Sequence, residues 1–175
     1  MYKILPLLAA SAVLMLGVTS CNTAGCTDNQ NSLPLAGYYS MSTKKAISLS
    51  QVGVMGVGAP GDSLLYLPSQ TLSQIYLPFR STAHTTSYRL IYNFTVTEEN
   101  PVAAYDEITF NYDSEPWFAS EECGAMYRYR IKSYTYTRVL IDSLAVTDSL
   151  ITNLDREQIR IYLRDNSEEE EGGEE

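Results

Sequence analysis

Several groups of residues in this chain have the types and spacing that chemistry requires. Asp113, Glu115, Glu121 and Glu122 lie beside Trp117 and Phe118, and a glycoside hydrolase needs two carboxyls flanking a sugar. Spacing along the chain fixes no distance across a cleft, so the plain alternative is a polar loop capped by a packed tryptophan. Gly56-Val57-Gly58-Ala59-Pro60-Gly61 has the G-x-G-x-x-G spelling of a dinucleotide loop, whose phosphate sits on a following helix N-terminus. Here Asp62-Ser63-Leu64-Leu65-Tyr66-Leu67-Pro68 follows instead, a strand-like run, and Pro60 suits a turn. His84 is the sole histidine. It lies in a polar connection without the nucleophile or further ligands that a triad or a zinc site demands, which leaves a solvated residue. No catalytic residue, metal site or cofactor is assigned.

The aromatic inventory is skewed: fourteen Tyr against four Phe and one Trp. From Met126 to Arg138, alternation puts Tyr127, Tyr129 and Ile131 on one face and Arg128, Arg130, Lys132, Tyr134 and Tyr136 on the other. The second set, Arg128, Arg130, Lys132, Tyr134 and Tyr136, with Tyr127 at the start of the segment, is a candidate binding ridge, cationic and aromatic, able to stack on sugars or hold anionic glycan or lipid groups. The competing reading pairs the basic row with Glu107 and Asp113 across a neighbouring strand, with tyrosines filling an amphipathic sheet.

The elements that must position these residues are strands. Short runs of Thr, Val, Ile, Tyr and Leu are separated by Gly, Pro, Asn and Asp, with no 3.6-residue stripe after the first twenty residues. Tyr88, Leu90, Tyr92, Phe94 and Val96 alternate with polar residues over 87–96, interrupted by Ile91. Ile108, Phe110 and Tyr112 alternate with Glu107, Thr109, Asn111 and Asp113 over 105–113. The two runs read as a hairpin with a longer loop through Glu98-Glu99-Asn100-Pro101. Further strands are expected at 35–41, 46–54, 63–67, 74–79, 125–137, 143–147 and 158–163. Eight to nine strands in one domain point to an all-β, antiparallel β-sandwich, with a closed barrel as the alternative.

The formal charge is −9, yet six glutamates lie within the last eight residues, so the chain before them carries −3. Residues 166–175 read as a disordered acidic tail, and nothing basic enough for a nucleic-acid footprint remains.

Residues 1–20 carry one basic residue, Lys3, then an uncharged run from Ile4 to Val18 and small residues at its end, the pattern of an export signal. Val18-Thr19-Ser20-Cys21 resembles a bacterial lipobox, which implies cleavage before Cys21 and acyl chains on that residue that hold it to a membrane. Residues 21–34 then form a polar tether and 35–165 the β domain. With Cys21 acylated, Cys26 and Cys123 remain, and in an oxidising compartment they are expected to pair. Closing so long a loop contributes on the order of 4 kcal/mol in the chain-entropy model.

Asp62-Ser63-Leu64, Asp142-Ser143-Leu144 and Asp148-Ser149-Leu150 resemble the Asp-Ser/Thr-apolar signal for O-glycosylation of exported Bacteroidota proteins, which marks Ser63, Ser143 and Ser149; Asp-Ser is equally turn chemistry ahead of a strand. Cys21, Cys26, Leu33-Pro34-Leu35, Glu122-Cys123-Gly124, Ile141-Asp142-Ser143-Leu144-Ala145-Val146 and Ile159-Arg160-Ile161-Tyr162-Leu163 together resemble a family of small Bacteroidota lipoproteins classed as a domain of unknown function. The resemblance implies a cell-envelope protein with an all-β fold and brings no activity or cofactor. Asn22-Thr23-Ala24-Gly25 lacks the acidic run that accompanies export to the outer surface, so the expected location is the periplasmic face of the outer membrane. The expectation is a non-enzymatic binding or assembly module meeting an envelope protein or a glycan, with a glycan-active hydrolase using Glu115, Glu121 or Glu122 as the opposing class.

Overall fold

The computed structural model describes Cys26 and residues 31–58 and 64–164; Cys21, Ser63 and the acidic tail lie outside them. The strands are β1 (Leu35–Ser40), β2 (Val52–Gly56), β3 (Leu64–Tyr66), β4 (Gln74–Tyr76), β5 (Thr85–Tyr92), β6 (Ala104–Ser120), β7 (Gly124–Tyr136), β8 (Ile141–Val146), β9 (Leu150–Ile151) and β10 (Glu157–Leu163). Among the described residues the one helical piece is a 3-10 turn, Asn93–Thr95. The fold is all-β, in two sheets ordered β4-β1-β10-β8 and β3-β2-β5-β6-β7-β9, one of them curled as a half-barrel.

Alternation explains the core. In β5, Tyr88, Leu90 and Tyr92 point inward, and in β6 Asp106, Ile108, Phe110 and Tyr112 do the same. They meet Ala36, Tyr38, Ile75, Ile141, Ile159 and Ile161 of the other sheet in one continuous cluster. The expected hairpin is present, with β5 and β6 antiparallel from Thr85↔Asn111 to Tyr92↔Ala104.

Two expectations are corrected and one strand is added. The arrangement is not wholly antiparallel, because β1 and β10 run parallel, Tyr38 opposite Ile161; these are the first and last strands, and the intervening chain supplies the long crossover that parallel neighbours need. Phe94 and Val96 do not extend the β5 core face. Thr95 donates its hydroxyl to the Tyr92 carbonyl and accepts from the Ala104 amide, which turns the chain and leaves both apolar side chains exposed. The short strand β9 carries no alternation in its two residues and escapes a pattern search.

Candidate functional site

β6 and β7 form a long hairpin whose register runs from Ile108↔Tyr136 to Ser120↔Gly124. Gly124 closes the turn at φ +71°, a left-handed conformation that glycine adopts without steric cost. Cys123 in the same turn is bonded to Cys26, with Cα atoms 4.6 Å apart and a sequence separation of 97. The expected disulfide is therefore present, and it fixes the N-terminal end of the described chain to this hairpin tip.

The hairpin breaks up the ridge read from sequence. Asn111 faces Ser133 while Tyr112 faces Ile131, so Lys132 is an extra residue, a bulge that reverses alternation beyond it. Tyr134 and Tyr136 consequently turn to the core face and pack against the apolar cluster, the Tyr134 hydroxyl donating to the Leu144 carbonyl at 3.0 Å. Arg128, Arg130 and Lys132 stay on the outer face. Arg128 pairs with Glu115 at 2.6 Å and Lys132 with Asp113 at 2.6 Å, while Glu107 is taken by Arg89 at 3.0 Å. Cross-strand pairing thus accounts for much of the basic row, and Tyr127 lies on the opposite, core-side face with Tyr129.

The same pairs bear on the carboxylates. Asp113 and Glu115 are each paired with a cation across the hairpin. Glu122 sits in the exposed turn, where a backbone amide and the Ser120 hydroxyl hold its carboxyl below the usual range. Trp117 faces Met126 across the hairpin and is half-buried. His84 is exposed, contributing its carbonyl to the Tyr112 amide. Gly56 ends β2, β3 follows from Leu64, and residues 59–63 lie outside the described residues. Ser149 is exposed and Ser143 is half-buried within β8. Among the described residues no group of three or more His, Cys, Asp or Glu could hold a metal ion.

Two features escaped the sequence reading. Asp106 is fully buried. Its carboxylate accepts from the hydroxyls of Tyr92 (2.9 Å) and Thr137 (2.7 Å) and from the amides of Val139 (2.7 Å), Leu140 (2.7 Å) and Ile141 (2.9 Å). Burial pushes its pKa upward, but these hydrogen bonds outweigh burial and hold it below the ordinary carboxylate value. Asp106 thereby clamps the segment that carries the chain from β7 into β8, in the other sheet. The only clue was an acidic residue on the apolar side of an alternating run.

The second feature is the placement of exposed apolar side chains at two ends of the molecule. At the disulfide end, alternation continues the core face past the core to Phe118, 63% exposed, and Tyr127, 42% exposed. There a groove of about 590 Å³ is lined by Leu33, Pro78, Phe79, Met126, Tyr127 and Tyr129 among others. At the far end of β6, Phe94, Val96, Val102, Tyr105 and Val139 are exposed, Val102 by 70%. Val102, Tyr105 and Val139 border a groove of about 430 Å³ with Asn100, Ala103, Ala104 and Thr137. The guanidinium of Arg89 lies 4.6 Å from the Tyr105 ring centroid and fixes that ring at the rim.

A protein-family profile described as a family of unknown function, DUF6452, matches residues 51–163. That span holds β2 to β10 and every residue of the hairpin, and leaves Cys21, Cys26 and β1 outside. No curated protein and no solved structure matches the chain.

Proposed function

The chain belongs to this family of unknown function, and from that premise we propose that it is a lipid-anchored, non-enzymatic binding module of the bacterial cell envelope, presenting the far end of its sheet to a protein partner. The observation that carries the reading is the groove bordered by the exposed side chains of Val102, Tyr105 and Val139 at the start of β6. Singly exposed apolar residues need no explanation; several that border one groove are what interaction surfaces show. The acyl anchor follows from the lipobox resemblance at Cys21, and the absence of an acidic run after it supports the periplasmic face of the outer membrane.

Geometry supports the polarity of this arrangement. β6 is 17 residues long, a contour of about 55 Å at roughly 3.3 Å per residue, and the stapled turn and the Val102 loop are at its opposite ends. An anchor upstream of Cys26 would thus hold one end and leave the other clear. The hydrolase reading loses support because Asp113 and Glu115 are committed to cations.

A photo-crosslinking residue at position 102, with position 132 on the outer hairpin face as control, tests the proposal in the native envelope. A protein adduct formed from 102, absent from 132 and lost in a Tyr105→Asp background, is the expected result. Equal labelling at both positions, or labelling of glycan in place of protein, would overturn it.

A further inference from the structure

We propose that the tip of the β6–β7 hairpin is a membrane-contact surface, its aromatic side chains seated at the headgroup level of the bilayer that holds the acyl chains. The inference rests on the lipid-anchor reading above and adds a second, protein-mediated contact. Cys21 precedes Cys26 by five residues, and five residues reach at most about 18 Å when fully extended. Cys26 is in turn bonded to Cys123 in the turn of the hairpin. An acylated Cys21 therefore holds this tip within about 18 Å of the residue seated at the membrane surface, close enough for the hairpin turn to reach the headgroups.

The side chains at the tip have the matching chemistry. Phe118 and Tyr127 are exposed on the continued core face, and Trp117, the sole tryptophan of the chain, is half-buried on the other face of the same hairpin end, so the tip carries aromatic side chains on both faces. Ring-bearing side chains with a polar handle are those that settle at the membrane interface. Phe118 has no such handle and gains most from leaving water. The charges at this end argue for an aromatic contact over an electrostatic one. Glu121 and Glu122 are exposed in the turn, and Arg128, the nearest cation along β7, is paired with Glu115. The contact should thus form on zwitterionic lipid and resist salt, unlike a polybasic contact, which salt screens.

The solitary tryptophan supplies the probe. The full-length protein is extracted from its membrane, acylation at Cys21 is read by mass spectrometry, and the protein is reconstituted into phosphatidylcholine vesicles in which the lipid is brominated near the headgroup end of the acyl chain. Quenching of Trp117 fluorescence by about two-fold, unchanged in high salt, is expected for a ring at the interface. Phe118→Ser should weaken the quenching, as should Cys26→Ser with Cys123→Ser, which frees the tip from the anchor; near-UV circular dichroism shows whether each variant is folded. Acylated, vesicle-bound protein whose Trp117 is not quenched would overturn the tip contact and leave the anchor standing. Unmodified Cys21 would overturn both.

Discussion

Asp106 shows how a single charge can be buried without a cation. Removing a carboxylate from water costs several kcal/mol, and five donors return that cost, three of them backbone amides of the β7–β8 connection. Because its folded pKa lies below the unfolded value, the stability it contributes is present above the unfolded pKa and is lost as pH falls through the folded one. Asp106→Asn is expected to cost about 3 kcal/mol near neutrality, with the gap from wild type narrowing below about pH 4; urea unfolding across pH measures both. Tyr112 makes the same point for a neutral group. Its hydroxyl accepts from the Arg80 amide at 2.9 Å, donates to the Arg80 carbonyl at 3.0 Å and accepts from the Thr86 hydroxyl at 2.7 Å, while Phe79 stacks on its ring at 4.3 Å. Tyr112→Phe should cost about 1–3 kcal/mol by stranding buried partners. Tyr127→Phe, at an exposed position, should stay within about 0.5 kcal/mol by the same urea measurement.

At the scale of the element, the decisive feature is the bulge at Lys132. Alternation from Tyr127 would carry Tyr134 and Tyr136 outward with the arginines; one unpaired residue sends them inward instead. Deleting Lys132 alone leaves Ile131, Ser133 and Tyr134 in simple alternation with both tyrosines still inward and should cost under about 1 kcal/mol, whereas deleting Lys132 together with Ser133 turns both tyrosines outward and should cost at least about 3 kcal/mol. Lys132→Ala keeps the bulge and loses only a pair whose side chains are more than half exposed, so it should cost under about 1 kcal/mol. Comparable losses in the single and double deletions, read by urea midpoint, would show that the residue count across the bulge does not set the facing. The other sheet carries further pairings of cations with aromatic rings. Arg160 lies 5.2 Å from the Tyr39 ring and Lys44 5.0 Å from the Tyr162 ring. Glu157 accepts from Tyr39, Gln74 and Arg160, its carboxylate lying over Gly37 where any side chain would collide with it.

For the whole molecule, the disulfide joins the chain's N-terminal end to the middle of the fold, and the parallel pairing of β1 with β10 brings its first and last strands together. Both restrain the chain over long sequence distances. Cys26→Ser with Cys123→Ser is expected to lower stability by about 2–5 kcal/mol, seen as a lower calorimetric midpoint that reductant produces in the wild type and not in the variant. The domain is consequently polar, with a stapled aromatic tip at one end and the Val102 and Tyr105 surface at the other.

The sequence by itself determined the strand class, the inward sets Tyr88, Leu90, Tyr92 and Ile108, Phe110, Tyr112, and the pairing of Cys26 with Cys123. Each follows from local alternation or from the small number of thiols available. Only the tertiary structure decided which residues act together. A bulge changes facing through one unpaired residue that has no compositional mark, and the five donors on Asp106 come from segments as far as 35 residues away. The parallel β1–β10 pair and the two exposed apolar ends likewise depend on contacts between distant segments. Periodicity reports the face a side chain takes on its own strand; what that face meets is set by the packing of the two sheets.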